Sequence, residues 1–259
     1  MRMDAMEDRT FSLKGHIALV TGSSRGIGRA AALVLGRYGA RVIFHASAPS
    51  EKLDKAVEEA LSNGICCCAV TGDLGRLQDI HGMLQALPDG FAEPDILVLN
   101  ASVQSYMHIE DFSTDEFQRE MDVNVRSGYL LVQALLPAMM RREWGRVIAI
   151  GSVNQWKQAP RLTVYSATKC AQLSMILSLA RSHADCGVTF NNIAPGVITT
   201  DRNAAALQDK ATVERLLQGI PAARFGKPED IAGAVLLLAS DAGSYINGAD
   251  IPITGGMHL

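Results

Sequence analysis

A tyrosine and a lysine stand four residues apart in Tyr165-Ser166-Ala167-Thr168-Lys169. Positions i and i+4 share one face of a helix, so this spacing would bring an ammonium close to a phenol. A nearby positive charge favours the phenolate and would lower a phenol pKa from its reference of about 10 by about 1–3 units. A phenol tuned in this way exchanges a proton with an alcohol or carbonyl oxygen near neutral pH. Ser152, reached through Gly151, ends the apolar run 146–150. Its hydroxyl could hold a reacting oxygen as negative charge develops there. Near the start of the chain, another apolar run enters Thr21-Gly22-Ser23-Ser24-Arg25-Gly26-Ile27-Gly28. Glycines in such a turn let the backbone approach a pyrophosphate, and the first N–H groups of a following helix point at anions.

These groups need elements to position them. Apolar runs predict strands at 16–20, 40–44, 65–70, 95–99, 146–150, 188–193 and 250–253. Helical patterns lie between them at 27–38, 51–63, 77–87, 115–142 (in more than one piece) and 164–184, with further helical segments through Ser240. Continuous apolar strands separated by helices imply a parallel sheet covered on both faces. The expected fold class is therefore α/β, a doubly wound sheet of about seven strands. No linker, repeat or charge block divides the chain, so 1–259 is expected to form one domain, with 1–13 as an N-terminal extension. In such a sheet, ligands lie at the carboxyl ends of the strands.

Composition narrows the partners. Lys plus Arg number 24 against 27 Asp plus Glu, a net charge of −3 that gives no basic surplus for nucleic acid. With 48% apolar and 20% charged residues, the chain has material for a core and no signature of disorder. The opening MRMDAMEDRTFSLKG lacks the apolar stretch of a secretory signal, and no run is long enough to span a bilayer. No membrane partner and a cytoplasmic location are the expectations. Five cysteines, three of them consecutive at Cys66-Cys67-Cys68, have neither zinc spacing nor a geometry suited to pairing. They are expected to be reduced, buried and structural, with no metal site.

The G-x-x-x-G-x-G spacing of Gly22, Gly26 and Gly28, followed far downstream by Y-x-x-x-K, resembles the short-chain dehydrogenase/reductase family. The similarity runs from about Gly15 to Gly255-Gly256. It implies a single-domain Rossmann oxidoreductase that transfers a hydride between a nicotinamide cofactor and a secondary alcohol or ketone. Asn124, Ser152, Tyr165 and Lys169 match the family's four catalytic residues. The resemblance implies that Tyr165 exchanges the proton and that Ser152 holds the substrate oxygen. Lys169 would assist the tyrosine and bind the ribose, and Asn124 would support a water-linked proton relay. Gly22, Ser24, Arg25, Gly26, Ile27 and Gly28 match the cofactor cradle. Asp73 with Leu74 matches the adenine edge, and Asn100-Ala101 the end of the family's N-N-A-G loop. Pro195-Gly196-Val197-Ile198, with Thr199 or Thr200, matches the P-G-x-x-x-T segment beside the nicotinamide. The chain departs from N-N-A-G at Leu99 and Ser102.

NAD-binding members carry an acid at the end of the second strand. Here that segment reads Phe44-His45-Ala46-Ser47-Ala48-Pro49-Ser50, and the first acid is Glu51. With Arg25 as a cation and His45 and Ser47 as further donors, NADP(H) is favoured and NAD(H) stays open. The site mouth is expected to include 153–162 and the stretch after Pro195. Asn154, Trp156 and Arg202 are the candidate substrate contacts, beside Gln155, Gln158, Asp201 and Asn203. So many hydrogen-bonding groups suit a sugar or polyol, and Trp156 would stack on a sugar face. The alternative is a 3-oxoacyl thioester on acyl carrier protein. Against it, two positions expected to flank the mouth, where that branch uses basic residues, read Glu143 and Cys186. A non-catalytic nucleotide-binding sensor or a methyltransferase would not explain all four catalytic positions being filled. The family also implies a homo-oligomer, a tetramer or dimer, through helices 115–142 and 164–184.

Overall fold

The strand segments are mostly apolar, and in the computed structural model they pair in parallel. The residues described are 9–203 and 208–259, less the side chains of Arg9 and Arg202. The strands are β1 (Ile17–Val20), β2 (Arg41–Ala46), β3 (Cys67–Thr71), β4 (Ile96–Leu99), β5 (Gly145–Ile150), β6 (Val188–Pro195) and β7 (Asp250–Ile253). They form one sheet in the order β3-β2-β1-β4-β5-β6-β7. Register is continuous across the centre, with Val20 opposite Phe44 on one side and Val98 on the other. The strand order reverses between β1 and β4, which opens a crevice at their carboxyl ends.

Successive strand residues point to opposite faces, so each strand feeds two cores. Ala18, Val20, Phe44 and Val98 pack with helices α1 (Gly26–Arg37), α2 (Glu51–Ser62) and α8 (Pro228–Ala239). Leu19, Ile43, Leu97 and Val147 pack with α3 (Leu77–Gln85), α5 (Ser127–Arg141) and α6 (Thr163–Ser182). The remaining helices are α4 (Thr114–Met121) and α7 (Lys210–Gln218).

Local chemistry sets several boundaries. Ser50 Oγ accepts the Leu53 N–H at the start of α2, and Ser113 with Glu116 closes a capping box on α4. The helical pattern over 115–142 is two α-helices joined by a π-helical turn, Asp122–Arg126. Such turns often mark functional positions, and this one holds Asn124. The third strand begins at Cys67, two residues later than the apolar pattern suggests. Ile65 spends its apolar side chain on α1 instead, where a Cβ on Gly36 would lie 2.3 Å from Ile65 Cγ2.

Two expectations need correction. The cysteines are free but not buried: Cys66 and Cys170 are exposed, and Cys67, Cys68 and Cys186 are half-buried. The reason for the first three is topological, because β3 is an edge strand and is covered less than the centre of the sheet. Partial burial, with the neighbouring thiols, pushes Cys68 up to about 11. Glu143 and Cys186 do not flank the crevice mouth. They precede the amino ends of β5 and β6, whereas Ser152 follows the carboxyl end of β5. The two turns touch each other there, since a Cβ on Gly187 would sit 1.9 Å from the Glu143 carbonyl oxygen. Among the described residues no helix is long and apolar enough to cross a membrane, and no His/Cys/Asp/Glu group is arranged to hold a metal ion.

Candidate active site

A cleft of about 1030 Å³ runs along the carboxyl ends of the central strands. One end is built by the turn between β1 and α1. Gly22 and Gly26 adopt φ of +64° and +57°, which side chains disfavour. Gly28 must lack a Cβ for a different reason: it would lie 2.4 Å from both Asn100 Nδ2 and the Gly22 carbonyl oxygen. Asn100 Nδ2 donates to the carbonyls of Thr21 and Gly22, and the Asn100 and Ala101 N–H groups donate to Thr21 Oγ1. The turn is thereby stapled to the end of β4. Arg25 provides no side-chain cap for α1, so the helix start presents backbone N–H groups toward the cleft. This cradle fits the pyrophosphate of a dinucleotide.

His45 lines the same region, but its role differs from that of a free donor. Its Nδ1 accepts the Gly22 N–H at 3.1 Å, and its Nε2 donates to the Gly72 carbonyl at 3.0 Å. Its backbone is tied to Ser23 through Ser23 Oγ and the Ser23 N–H. Burial outweighs the Gly72 bond and the Asp73 charge, and lowers the imidazole to about 4. His45 is therefore a neutral strut beneath the glycine turn. The expectation that it offers a donor to a phosphate is corrected on that ground.

Asp73 follows β3 and lines the cleft with Leu74. Burial acts to raise its carboxyl, yet the Gly75 N–H and the Arg119 guanidinium outweigh that effect and hold it below the usual carboxylate range. Arg119, on α4, was not visible as a site residue because only the fold returns it to the end of β3. Lys52, at the start of α2, is a second cleft residue without a sequence signal. Its Nζ lies 2.6 Å from Asp201 Oδ2, and Arg25 Nη1 lies 3.3 Å from the same oxygen. Two cations thus converge on one anion at the cleft wall.

Ser152, Tyr165 and Lys169 line the other part of the cleft. Ser152 Oγ accepts the Asn154 N–H at 3.1 Å, which leaves its proton available to an acceptor in the cleft. Lys169 is buried, donating to the Ile150 carbonyl at 2.7 Å and to Gln172 Oε1 at 3.1 Å, with its Nζ 5.7 Å from the Tyr165 ring centre. Asn124 sits behind the wall. Its side chain clamps both backbone groups of Val103 at 2.8 Å and donates to Thr168 Oγ1, beside Lys169.

Ser24, Ile27, Ser47, Ala101, Pro195, Gly196, Val197, Ile198 and Thr200 all face this cleft. Thr200 takes the position left open between two threonines, because Thr199 spends its N–H and hydroxyl on the Gly226 carbonyl. Of the substrate candidates, Asn154 lines the cleft and Trp156 does not. Trp156 leans toward His258, with ring centres 6.0 Å apart. Gln155 is turned away to Asp250, and Gln158 lines a separate depression. The Arg202 side chain lies outside the described residues. Asp201 and Asn203 remain in the cleft wall, together with Gln104, Thr212 and Arg215, which had no sequence signal.

The family described as enoyl-(acyl carrier protein) reductase matches residues 22–258. A 3-oxoacyl-[acyl-carrier-protein] reductase of Pseudomonas aeruginosa is 37% identical over 96% of this chain and 99% of its own length. The crystal structure of a 3-oxoacyl (acyl-carrier-protein) reductase from Agrobacterium tumefaciens with NADP bound is 37% identical, with a TM-score of 0.92 and coverage of 99% and 100%. A gluconate 5-dehydrogenase from Burkholderia cenocepacia in complex with NADP and tartrate is 29% identical, with a TM-score of 0.90 and coverage of 96% and 97%. Fold, cleft and relatives together define an oxidoreductase that works with a nicotinamide cofactor on CH–OH or C=O groups. The chain belongs to the short-chain dehydrogenase/reductase family.

The His45 strut has a measurable signature. The unfolded chain binds the imidazole proton near 6.5, whereas the native state excludes it until about 4. This residue therefore costs no stability above pH 6.5, and stability falls as pH drops through that window, by up to about 3 kcal/mol in total. Urea unfolding at about pH 7 and about pH 5 should show about 2 kcal/mol of that loss for the native chain. It should be shallower in His45→Gln, whose amide presents an acceptor and a donor but does not titrate. Equal pH slopes would remove the assignment.

Proposed function

We propose that this chain is an NADP(H)-dependent reductase or dehydrogenase of a small polar secondary alcohol or ketone, with Tyr165 as the acid/base. The observation that carries this reading is the meeting of Tyr165, Lys169 and Ser152 in one cleft with the glycine cradle. When bound, the nicotinamide supplies or accepts the hydride. Tyr165 gives its phenolic proton to the substrate oxygen in the reducing direction and takes it back in the other. Ser152 donates its hydroxyl proton to the same oxygen as charge builds there. The Lys169 ammonium stabilises negative charge on the phenol oxygen and reaches the cofactor ribose. Asn124 holds Val103 and Thr168, so the wall and the lysine segment keep their relative placement, and it supports the proton relay. Tyr165→Phe should lower kcat by about 10²- to 10⁴-fold and leave the cofactor Kd within about twofold. Turnover near the native level would mean that another group handles the proton.

Support for the 2′-phosphate comes from Arg25 and Lys52, which converge on Asp201 and are free to exchange that carboxylate for a phosphate. No acid at the end of β2 faces the cleft, and Glu51 pairs with Lys55 instead. Lys52→Ala should weaken NADPH binding about three- to tenfold with little effect on NADH. Asp201→Asn should strengthen NADPH binding, because the internal competitor for both cations is gone. Cofactor fluorescence titration reads both variants. Equal changes for the two cofactors would argue against a 2′-phosphate pocket at this pair.

Asn154, Gln104 and Asn203 in the cleft wall support a polar, sugar- or polyol-like substrate. The second reading, a 3-oxoacyl thioester, draws on the Pseudomonas aeruginosa and Agrobacterium tumefaciens relatives. Glu143 and Cys186 weigh less against it than their place in the sequence implies, since both precede the amino ends of β5 and β6, away from the cleft of the same chain. A spectrophotometric panel of sugars, polyols and a short 3-oxoacyl thioester decides between them. Turnover of a polyhydroxy compound is the expected result, and preference for the thioester overturns it. Cytoplasmic location and a homo-oligomer through α4, α5 and α6 complete the proposal. Exposed Phe117, Tyr129 and Leu177 on those helices support the latter.

A further inference from the structure

We propose that Gln155, Asn192 and Asp250 form a positioning unit that orients Ser152, an inference that rests on the reading of Ser152 given above. None of the three lines the cleft. Gln155 and Asn192 are buried, and Asp250 is half-buried on β7. Gln155 Nε2 donates to Asp250 Oδ2 at 2.7 Å, and Asn192 Nδ2 donates to Asp250 Oδ1 at 2.7 Å. Gln155 Oε1 then accepts from the Ser152 N–H and from Asn192 Nδ2, each at 3.4 Å.

The chemistry of the carboxylate dictates this arrangement. An ionised carboxylate only accepts, so both amides must turn their NH₂ groups toward Asp250. That choice leaves Gln155 with its carbonyl oxygen facing Ser152, where a backbone N–H awaits an acceptor. The opposite amide orientation would place oxygen against carboxylate at one end and NH₂ against N–H at the other. Asp250 therefore sets the direction of a hydrogen bond to Ser152 from the far end of a side-chain chain. Gly151 makes room for it: a Cβ there would lie 2.5 Å from Gln155 Oε1 and 2.6 Å from Asn192 Nδ2. The Gly151 N–H is also bonded to the Ile193 carbonyl, so the residue before Ser152 is locked to β6. With its backbone at φ −163° and ψ 150° and its Oγ accepting the Asn154 N–H, Ser152 holds its hydroxyl oxygen in the cleft wall with the proton still to be donated.

A reciprocal exchange tests this. Asp250→Asn offers one acceptor and one donor, so one amide must reverse. Asn192, whose Oδ1 has no hydrogen-bond partner among the described residues, can do so and leave the Gln155 bond to Ser152 in place, so kcat should stay within about threefold. Gln155→Glu sets two carboxylates against each other and should lower kcat about 10- to 100-fold. In the double variant Q155E/D250N, the carboxylate at 155 accepts from Ser152 and from the amide at 250, and that amide accepts from Asn192. The network closes again with unchanged charge, and kcat should return to within about threefold of the native value. Cofactor Kd should stay within about twofold throughout, which general loss of structure would not allow. A double variant that folds and binds cofactor but stays as slow as Gln155→Glu overturns the proposal. So does native kcat in Gln155→Glu. If a single variant does not fold, Gln155→Met keeps the volume and removes the acceptor. It should lose about tenfold in kcat, and native kcat there counts against the proposal equally. Ser152→Ala in the same assay separates the two readings. Full activity in it would refute the role of Ser152, whereas a slow Ser152→Ala beside an unrecovered double variant would refute the positioning unit alone.

Discussion

Seven strands running in one direction place every carboxyl end at the same edge of the sheet, and the rest of the molecule depends on that constraint. Parallel strands buried on both faces are mostly apolar along their length, and the polar side chains they do carry, such as His45 on β2 and Asn192 on β6, are buried. Most of the cleft chemistry therefore falls to the segments that leave the strands. The turn after β1, His45 near the end of β2, Asp73 after β3, Asn100 after β4, Ser152 after β5 and the segment after β6 all reach one cleft. The reversal of strand order between β1 and β4 gives that cleft its depth.

Placing such groups at the edge of an apolar core requires polar partners for each. Lys169 donates to a main-chain carbonyl and to a glutamine, both uncharged. His45 is kept neutral by burial and satisfies a donor of the glycine turn. Glu120 is buried one helical turn before Asn124, its carboxyl raised by burial, and it accepts the Ser105 N–H while Asn124 clamps Val103. These groups add little to stability in comparison with apolar packing. Their common effect is to hold loops of the cleft wall at fixed distances from one another.

The cleft wall is where sequence position and structure differ most, and the reasons are local. Trp156, Gln155 and Gln158 follow Ser152 closely in the chain, yet none of them lines the cleft. The 3₁₀ turn Val153–Gln155 rotates successive side chains by about a third of a turn, so Asn154 alone of this group faces the cleft. Lys52 stands one residue past the segment 44–51 and shows its role only through the fold, which brings Asp201 to it, whereas Arg119 lies on α4, far in sequence from Asp73. Cys66, Cys67 and Cys68 looked like core residues because an edge strand and a central strand share the same apolar composition.

The sequence by itself determined the strand and helix alternation, the parallel α/β class, the glycine turn and the pairing of Tyr165 with Lys169. All of these follow from local periodicity or from spacing within one element, which chain connectivity enforces. Tertiary structure alone decided which side chains on a shared element face the cleft, that β3 is the edge, and that Glu143 and Cys186 lie at the opposite end of the sheet. It also decided that Gln155, Asn192 and Asp250 meet, although 95 residues separate the first from the last. Such contacts depend on the direction of side chains from different strands, and no one-dimensional pattern encodes that direction.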